Sequence, residues 1–568
     1  MKRIILLILT LAMLFLCACG GGNTTDTDTT APDGTGEQSD STGDSAEPEW
    51  TLTEEQLSEY KIVYAKSTDS RIEAVAKLVG AKTGKTPVPD TESETDKEIL
   101  IGNTNRKESS EAAKALSGAT EKTAYAIQAV GDKITICGNS YDSVIYGVKY
   151  FIGTFLDGTG ETIDSNYSRV YKTDNKVTVY DNLTVLEITT PVQIFGPTKT
   201  ANQDKNVATP RIVRMEHSEK YYGTLIATQE AATASTVSSY IISRSTDDGA
   251  TWKQINVLSY KGHAGMYANW QPFLYELPEQ IGDMPKGTLL LAGCTHNWGD
   301  SSPNHAKTYI CLYKSSDCGM SWTHISDIAS SYLEGYEYDN ASDIEIGNGV
   351  WEPVLTVDNG KLLCFYSDEN QRAEHSQRLV YKASSDGITW GNAVEVVALE
   401  SQSLRPGMLS FVKMNNGKYL ATHEIVGLSG GPIYYRIFNS PTDWGDVTSL
   451  GKQIMTKDRK TFGTSPYVGY SPVGETGMIF VSAEHMITGD DGKGVYIFAS
   501  FDYGETWFTI ENPMPYETVA QQSGAAGYSS NFFTSDDGHT VYFVQATDWD
   551  YPEYGKKTVN KMVKFCVW

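Results

Sequence analysis

The chain has 568 residues and a net charge of −25, from 46 basic against 71 acidic side chains. That excess argues against nucleic acids and anionic polymers as partners, because phosphate binding needs clustered cations. It leaves a neutral glycan open, and the 11% aromatic content, with 34 tyrosines, suits both stacking on sugar faces and β-sheet cores.

Lys2 and Arg3 precede an apolar stretch from Ile4 to Leu16, interrupted only by Thr10. A span needs ~20 apolar residues, so the stretch reads as the h-region of a signal peptide. Leu16-Cys17-Ala18-Cys19-Gly20 resembles the lipobox of bacterial lipoproteins. That resemblance implies a signal peptide over 1–18 and diacylglycerol on the Cys19 thiol, and hence an extracytoplasmic, membrane-anchored protein; the alternative is an ordinary signal peptide. Residues 23–48 contain seven acids among Thr, Ser and Gly, with no Lys, Arg or aromatic residue. Such a segment cannot bury enough apolar surface to order itself, so 19–50 is expected to be a disordered tether.

Residues 51–184 alternate strand and helix signals. Tyr60–Tyr64 and Ile99–Ile101 read as strands; Ile72, Val75, Ala76 and Val79 share a helix face. Gly131-Asp132 joins the two runs of a hairpin, and Ile145, Val148, Ile152 and Phe155 mark a last helix. This small α/β domain, with Ile99-Leu-Ile-Gly-Asn-Thr104, resembles the non-catalytic domain that precedes catalytic domains in α-glucuronidases and hexosaminidases. No convergent polar group appears in it, which favours an accessory role.

From 185 to 568 short apolar runs alternate with Gly, Asn and Asp turns, and one segment repeats. Ser245-Thr-Asp247-Asp-Gly249-Ala-Thr251-Trp252 returns at Ser315–Trp322 and at Ser500–Trp507. A degenerate copy, Ala383-Ser-Ser385-Asp-Gly387-Ile-Thr389-Trp390, aligns Ser385 with the key Asp. These segments resemble the Asp-boxes of sialidase-type propellers. Their logic is local: the Asp carboxylate accepts turn N–H groups, Gly takes positive φ, and Trp packs under the turn. The intervals Asp247 to Asp317 (70 residues), Asp317 to Ser385 (68) and Ser385 to Asp502 (117, two units with a lost box) match four-stranded blades. The fold class expected is mainly β: a six-bladed propeller preceded by a small α/β domain. Cys294 and Cys311 fall on neighbouring strands, so a bridge or a pair of buried thiols is open, the thiols being favoured. No HExxH or dense ligand cluster is visible, so no metal and no cofactor is expected.

Catalytic residues of a propeller come from loops of different blades. Three segments outside the boxes qualify: Val350-Trp351-Glu352-Pro353 leading to Tyr366-Ser-Asp368-Glu369; Leu404-Arg405-Pro406-Gly407-Met408 leading to His423-Glu424; and Gly463–Tyr467. At these residues the chain resembles the exo-arabinanases of glycoside hydrolase family 93. Departing from that family's pattern, His423 stands where a Tyr is expected, and as a cation it would lower the pKa of Glu424. The resemblance implies Glu424 as nucleophile and Glu352 as acid/base of a retaining mechanism, a pair of carboxyls one blade apart. Arg211, Trp270, Asp368, Glu369 and Arg405 are candidates for substrate binding, each also open to a structural reading. Tyr528, on the closing blade, is a candidate to hydrogen-bond the nucleophile. An exo-sialidase, which grips its sugar with an Arg triad, and a non-catalytic glycan-binding propeller are the alternatives. The expected partner is an oligo- or polysaccharide, and the chain is expected to be a monomer.

Overall fold

In the computed structural model the described residues are 51–157, 161–196, 207–232, 238–259, 268–296, 308–331, 349–370, 374–488, 494–516, 526–548 and 558–568. The lipobox, with Cys19, and the tether lie outside them. The chain divides into two compact units: residues 1–189 with Trp568, and residues 190–567.

The first unit is a mixed six-stranded sheet with helices. Lys61–Tyr64 runs parallel to Glu98–Ile101, which runs parallel to Lys133–Gly138, itself in a hairpin with Tyr125–Val130. The helix Ser70–Thr83 starts where the Asp69 carboxylate accepts the Arg71 N–H, and it ends at Gly84 with φ 69°, the N-cap and left-handed C-cap expected of these residue types. A buried ion network sits at one edge. Glu98, with 0% exposure, is bonded by Arg106 Nε at 3.1 Å and approached by Lys133 Nζ at 3.3 Å.

The second unit is a six-bladed β-propeller. Five blades are consecutive antiparallel four-stranded sheets. Their innermost strands are Val207–Arg214, Ala268–Glu276, Val350–Asp358, Arg405–Lys413 and Tyr467–Ser471. The sixth is assembled from both ends of the unit: Asn531–Thr534, Thr540–Asp548 and Thr558–Val567 take Val192–Phe195 as their outer strand. Each blade packs between two others, so its middle strands are apolar on both faces; Leu289–His296 is buried throughout. The core therefore lies between blades. Leu420, Tyr435, Val468, Ile479, Phe498 and Trp507 fill the fourth-to-fifth gap, and Ile194 of the closing strand packs with Ile212, Leu225 and Met562.

The boxes behave as turn chemistry demands. Asp247 Oδ1 accepts the Thr251 N–H at 2.9 Å, Gly249 has φ 88°, and Trp252 Nε1 donates to the Gly249 carbonyl at 3.1 Å. The third box corrects the alignment drawn from sequence. Ser385 does not replace the aspartate; Asp386 does the work, accepting from Ser384 Oγ (2.9 Å), Ile388 N (2.8 Å) and Thr389 N (2.8 Å). The box is one residue shorter and keeps its carboxylate. Asp386→Ala should therefore lower the thermal unfolding midpoint, because the turn loses its carboxylate acceptor, while Ser385→Ala should leave it unchanged. Equal effects in thermal denaturation would restore the earlier alignment.

All six cysteines outside the signal region are buried and free. Gly293, not Cys294, faces Cys311 across the ladder, so the side chains of Cys294 and Cys311 leave opposite faces of the sheet and no bridge forms.

Candidate active site

One device builds the site. The innermost strand of blades one to four carries a non-glycine residue with positive φ, Thr209 (45°), Gln271 (52°), Glu352 (63°) and Met408 (55°), and in blades five and six such a residue, Ser465 (52°) and Ser529 (52°), stands two residues before that strand. In the first four blades the ladder register shifts at this residue, the signature of a β-bulge, which re-aims a side chain. Four of the six are followed by Pro, which has no N–H to leave unpaired there. Beside each bulge, one residue of the second strand lies at the same level. By register these residues are Glu230, Cys294, Ser367 and Glu424 in blades one to four. In blade five Glu484, two residues past the second strand Met478–Ser482, takes this place, its N–H donating to the Thr464 carbonyl.

Glu352 and Glu424 meet through this geometry. A Cβ placed on Gly407 would lie 3.4 Å from Glu424 Oε1 and 3.5 Å from Glu352 Oε2. The two oxygens are therefore at most about 7 Å apart, a limit that admits the spacing of a glycosidase carboxyl pair. The same Cβ would lie 2.9 Å from Gln377 Nε2, so a side chain in place of Gly407 would displace Gln377, which sits beside the pair.

Their surroundings differ. Glu352 Oε2 accepts from Ser367 Oγ at 2.7 Å and Met408 N at 2.8 Å, and Gln271 Nε2 stands 3.5 Å from Oε1. Among the described residues Glu424 accepts one hydrogen bond, from Ser465 N at 2.7 Å. Burial, then the negative charge of Glu352, pushes the Glu424 carboxyl up to about 8. Glu352 is also raised by burial, opposed by the Ser367 and Met408 bonds. Donors stabilise a carboxylate, so the hydrogen bonds favour charge on Glu352 and the proton on Glu424.

His423 does not act as expected. Successive residues of a strand face opposite sides. His423 is wholly buried away from the pair, stacked over Tyr434 with ring centroids 6.3 Å apart. Burial and the nearby Arg436 push it down to about 4. It is neutral, and the Glu424 carboxyl is raised where a cationic neighbour would have lowered it.

The other candidates separate into two groups. Arg405 stays at the site, 40% exposed, its guanidinium fixed by Glu369 and by Gln377 Oε1 at 2.8 Å, and its charge bears on both Glu352 and Glu424. Glu369 itself is buried, also accepting from Gly349 N at 2.8 Å; it holds Arg405 and faces no open space. Asp368 is a correction of the same kind, buried in a two-bond ion pair with Arg378 (3.2 and 2.9 Å) on the adjoining strand. The two terminal nitrogens of Arg211 donate to Pro210 O, Ser529 O and Ser529 Oγ (2.8, 2.7 and 2.7 Å), and the guanidinium lies 5.1 Å from the Tyr467 ring centre. It ties blade one to blade six. Trp270 packs edge-on against His296 (centroids 3.9 Å) and lies 6.4 Å from Trp351. The Tyr528 hydroxyl makes no bond to Glu424; it points at Met408 Sδ, 3.9 Å away, among the charges of Glu352, Glu424, Glu230 and Glu484.

Three participants escaped the sequence reading. Glu230, raised to about 7 by burial, accepts the Gln271 N–H at 3.0 Å; Gln271 Oε1 accepts the Glu352 N–H at 3.1 Å. Glu484 accepts from Thr464 Oγ1 at 2.6 Å. The signal was present in the parallel Trp270-Gln-Pro272 and Trp351-Glu-Pro353, two copies of one bulge.

Six blades and a carboxyl pair shared between two of them define the class: the chain is a glycoside hydrolase built on a β-propeller. No family model and none of the curated proteins match the chain. Solved structures do. An α-L-arabinanase of Penicillium chrysogenum, complexed with arabinobiose, is 29% identical with a TM-score of 0.52, covering 66% of this chain and 98% of that one. The family 93 α-L-arabinofuranosidase of Fusarium graminearum, also with arabinobiose, is 27% identical with a TM-score of 0.53, covering 66% and 97%. Structural neighbours of the chain thus include family 93 arabinanases and arabinofuranosidases.

Proposed function

We propose that the chain hydrolyses α-L-arabinofuranosyl linkages in arabinan or its oligosaccharides, working from the chain end and with retention at the anomeric carbon. The observation that carries the substrate class is the ring of carboxyls at one level, Glu230, Glu352, Glu424 and Glu484. The negative charge on Glu352 repels an anionic sugar, and the terminal nitrogens of Arg211, which an acidic sugar would need, are committed to Ser529. A neutral sugar, by contrast, offers hydroxyl donors to these acceptors. End-wise action and retention are carried over from the family resemblance, and the carboxyl separation is compatible with them.

Within the pair we read the roles from the hydrogen bonds. Glu352, with the donors Ser367, Met408 and Gln271, is the ionised group that attacks the anomeric carbon. Glu424, kept neutral by burial and by the Glu352 charge, gives its proton to the leaving oxygen and later takes one from water. This reverses the order implied by sequence resemblance. Arg405 stabilises the negative charge the two share. The lipobox supports a further proposal, that Cys19 carries a lipid holding the enzyme at the outer face of a membrane.

Product analysis on linear arabinan, arabino-oligosaccharides and sialyl-lactose tests the substrate. Release of arabinose or a short arabino-oligosaccharide with no sialic acid is expected. Cleavage of the sialoside alone would replace this reading with a sialidase.

A further inference from the structure

Away from the channel, the two outer strands of blade two, Thr308–Ser315 and Thr323–Ser330, bring together three residues the hydrolytic reaction does not use. Residues three apart on a regular strand face opposite sides, so His324 and Asp327 would ordinarily diverge. Here the ladder slips twice, between Ile310 and Cys311 and again between Leu312 and Tyr313. The slips set Asp327 opposite Cys311 and His324 opposite Tyr313, all toward one face. His324 Nε2 lies 2.9 Å from Asp327 Oδ1. One ligand atom each of Cys311, His324 and Asp327 falls within 4.8 Å of the others. Cys311 is buried, while His324 and Asp327 are 36% and 28% exposed in their side chains, so the cluster opens outward from a buried sulfur.

We propose that this cluster binds one Zn²⁺ through Cys311 Sγ, a His324 ring nitrogen and an Asp327 carboxylate oxygen, with water as fourth ligand. Mixed sulfur, nitrogen and oxygen donors suit this borderline ion, which accepts the set tetrahedrally. On binding, the Cys311 thiol loses its proton to solvent as the sulfur–zinc bond forms, so one H⁺ is released per ion. The ion would pin the outer strand to its neighbour, and the role is structural: these side chains belong to the two outer strands of the blade, whereas Glu352 and Glu424 lie on first and second strands of other blades.

The test uses the reduced, metal-stripped full chain titrated with Zn²⁺ alone, and Co²⁺ as a spectroscopic probe. Expected are one saturable Zn²⁺ per chain, a rise in Tm, and a thiolate-to-metal charge-transfer band in the near ultraviolet with Co²⁺. His324→Ala, at an exposed position, should fold as wild type in chelator yet bind Zn²⁺ at least about tenfold more weakly, the scale of effect seen even for outer-shell changes. Cys311→Ser should lose the Co²⁺ band, and Cys318→Ser should keep it. Zn²⁺ binding weaker than about 0.1 mM, far from the structural range, would overturn the proposal. So would binding untouched by His324→Ala, or a Co²⁺ complex without the thiolate band.

Discussion

Glu424→Ala should lose about 10²–10⁴-fold in kcat/KM on arabino-oligosaccharides, the usual contribution of a general acid, while still turning over an aryl arabinofuranoside whose leaving group needs no proton. Added azide should then intercept the glycosyl-enzyme and yield the glycosyl azide of retained configuration. Glu352→Ala should be inactive on both substrates, and azide should give the inverted product, because the attacking carboxylate is gone. The reason lies in the donors. Among the described residues Ser367 Oγ, Met408 N and the Gln271 amide surround Glu352, against Ser465 N on Glu424. The opposite pattern, retained azide adduct from the Glu352 variant, would return the roles to those implied by sequence. The wild-type profile of kcat/KM against pH should be a bell. Its alkaline limb should fall near 8, where Glu424 loses its proton, and its acid limb should lie above the ordinary carboxylate value because burial raises Glu352. His423 is already neutral above about 4, so it adds no limb near the usual histidine pKa.

Arg211→Ala should lower Tm by roughly 5 °C, from about 3 kcal/mol of lost bonding in a unit of this size. The guanidinium satisfies the buried Ser529 carbonyl and hydroxyl and lies against Tyr467. Its removal strands those groups at the junction where the propeller closes, beside the blade whose outer strand is Val192–Phe195. Differential scanning calorimetry with parallel kinetics separates this from a substrate-binding role: an unchanged Tm with a raised KM would make Arg211 a sugar ligand after all.

Much of the site was written locally. Trp351-Glu352-Pro353 and Arg405-Pro406-Gly407-Met408 stood out because a bulge and a close backbone approach each need particular residue types. Gly407 is such a case, its missing Cβ leaving room between the carboxyls and Gln377. What each neighbour does was not written locally. Asp368 and Glu369 are adjacent in sequence and polar alike, yet one pairs with Arg378 inside its own blade and the other fixes Arg405 of the next. His423 and Glu424 are equally adjacent, and strand alternation sends one into the core and one into the channel.

By itself the sequence determined the α/β order of the first unit and the number of blades, and it singled out the two carboxyls that the fold brings near each other. These rest on turn chemistry, hydrophobic period and repeat length, which involve residues close along the chain. Only the tertiary structure decided that Asp386 carries the third box, that Glu230, Gln271 and Glu484 join the ring, that Arg211 closes the propeller, and that Cys311 meets His324 and Asp327. Those facts depend on bulges and ladder slips. One residue of slippage moves a side chain to the other face of a sheet, and packing between blades selects the register that no single strand encodes.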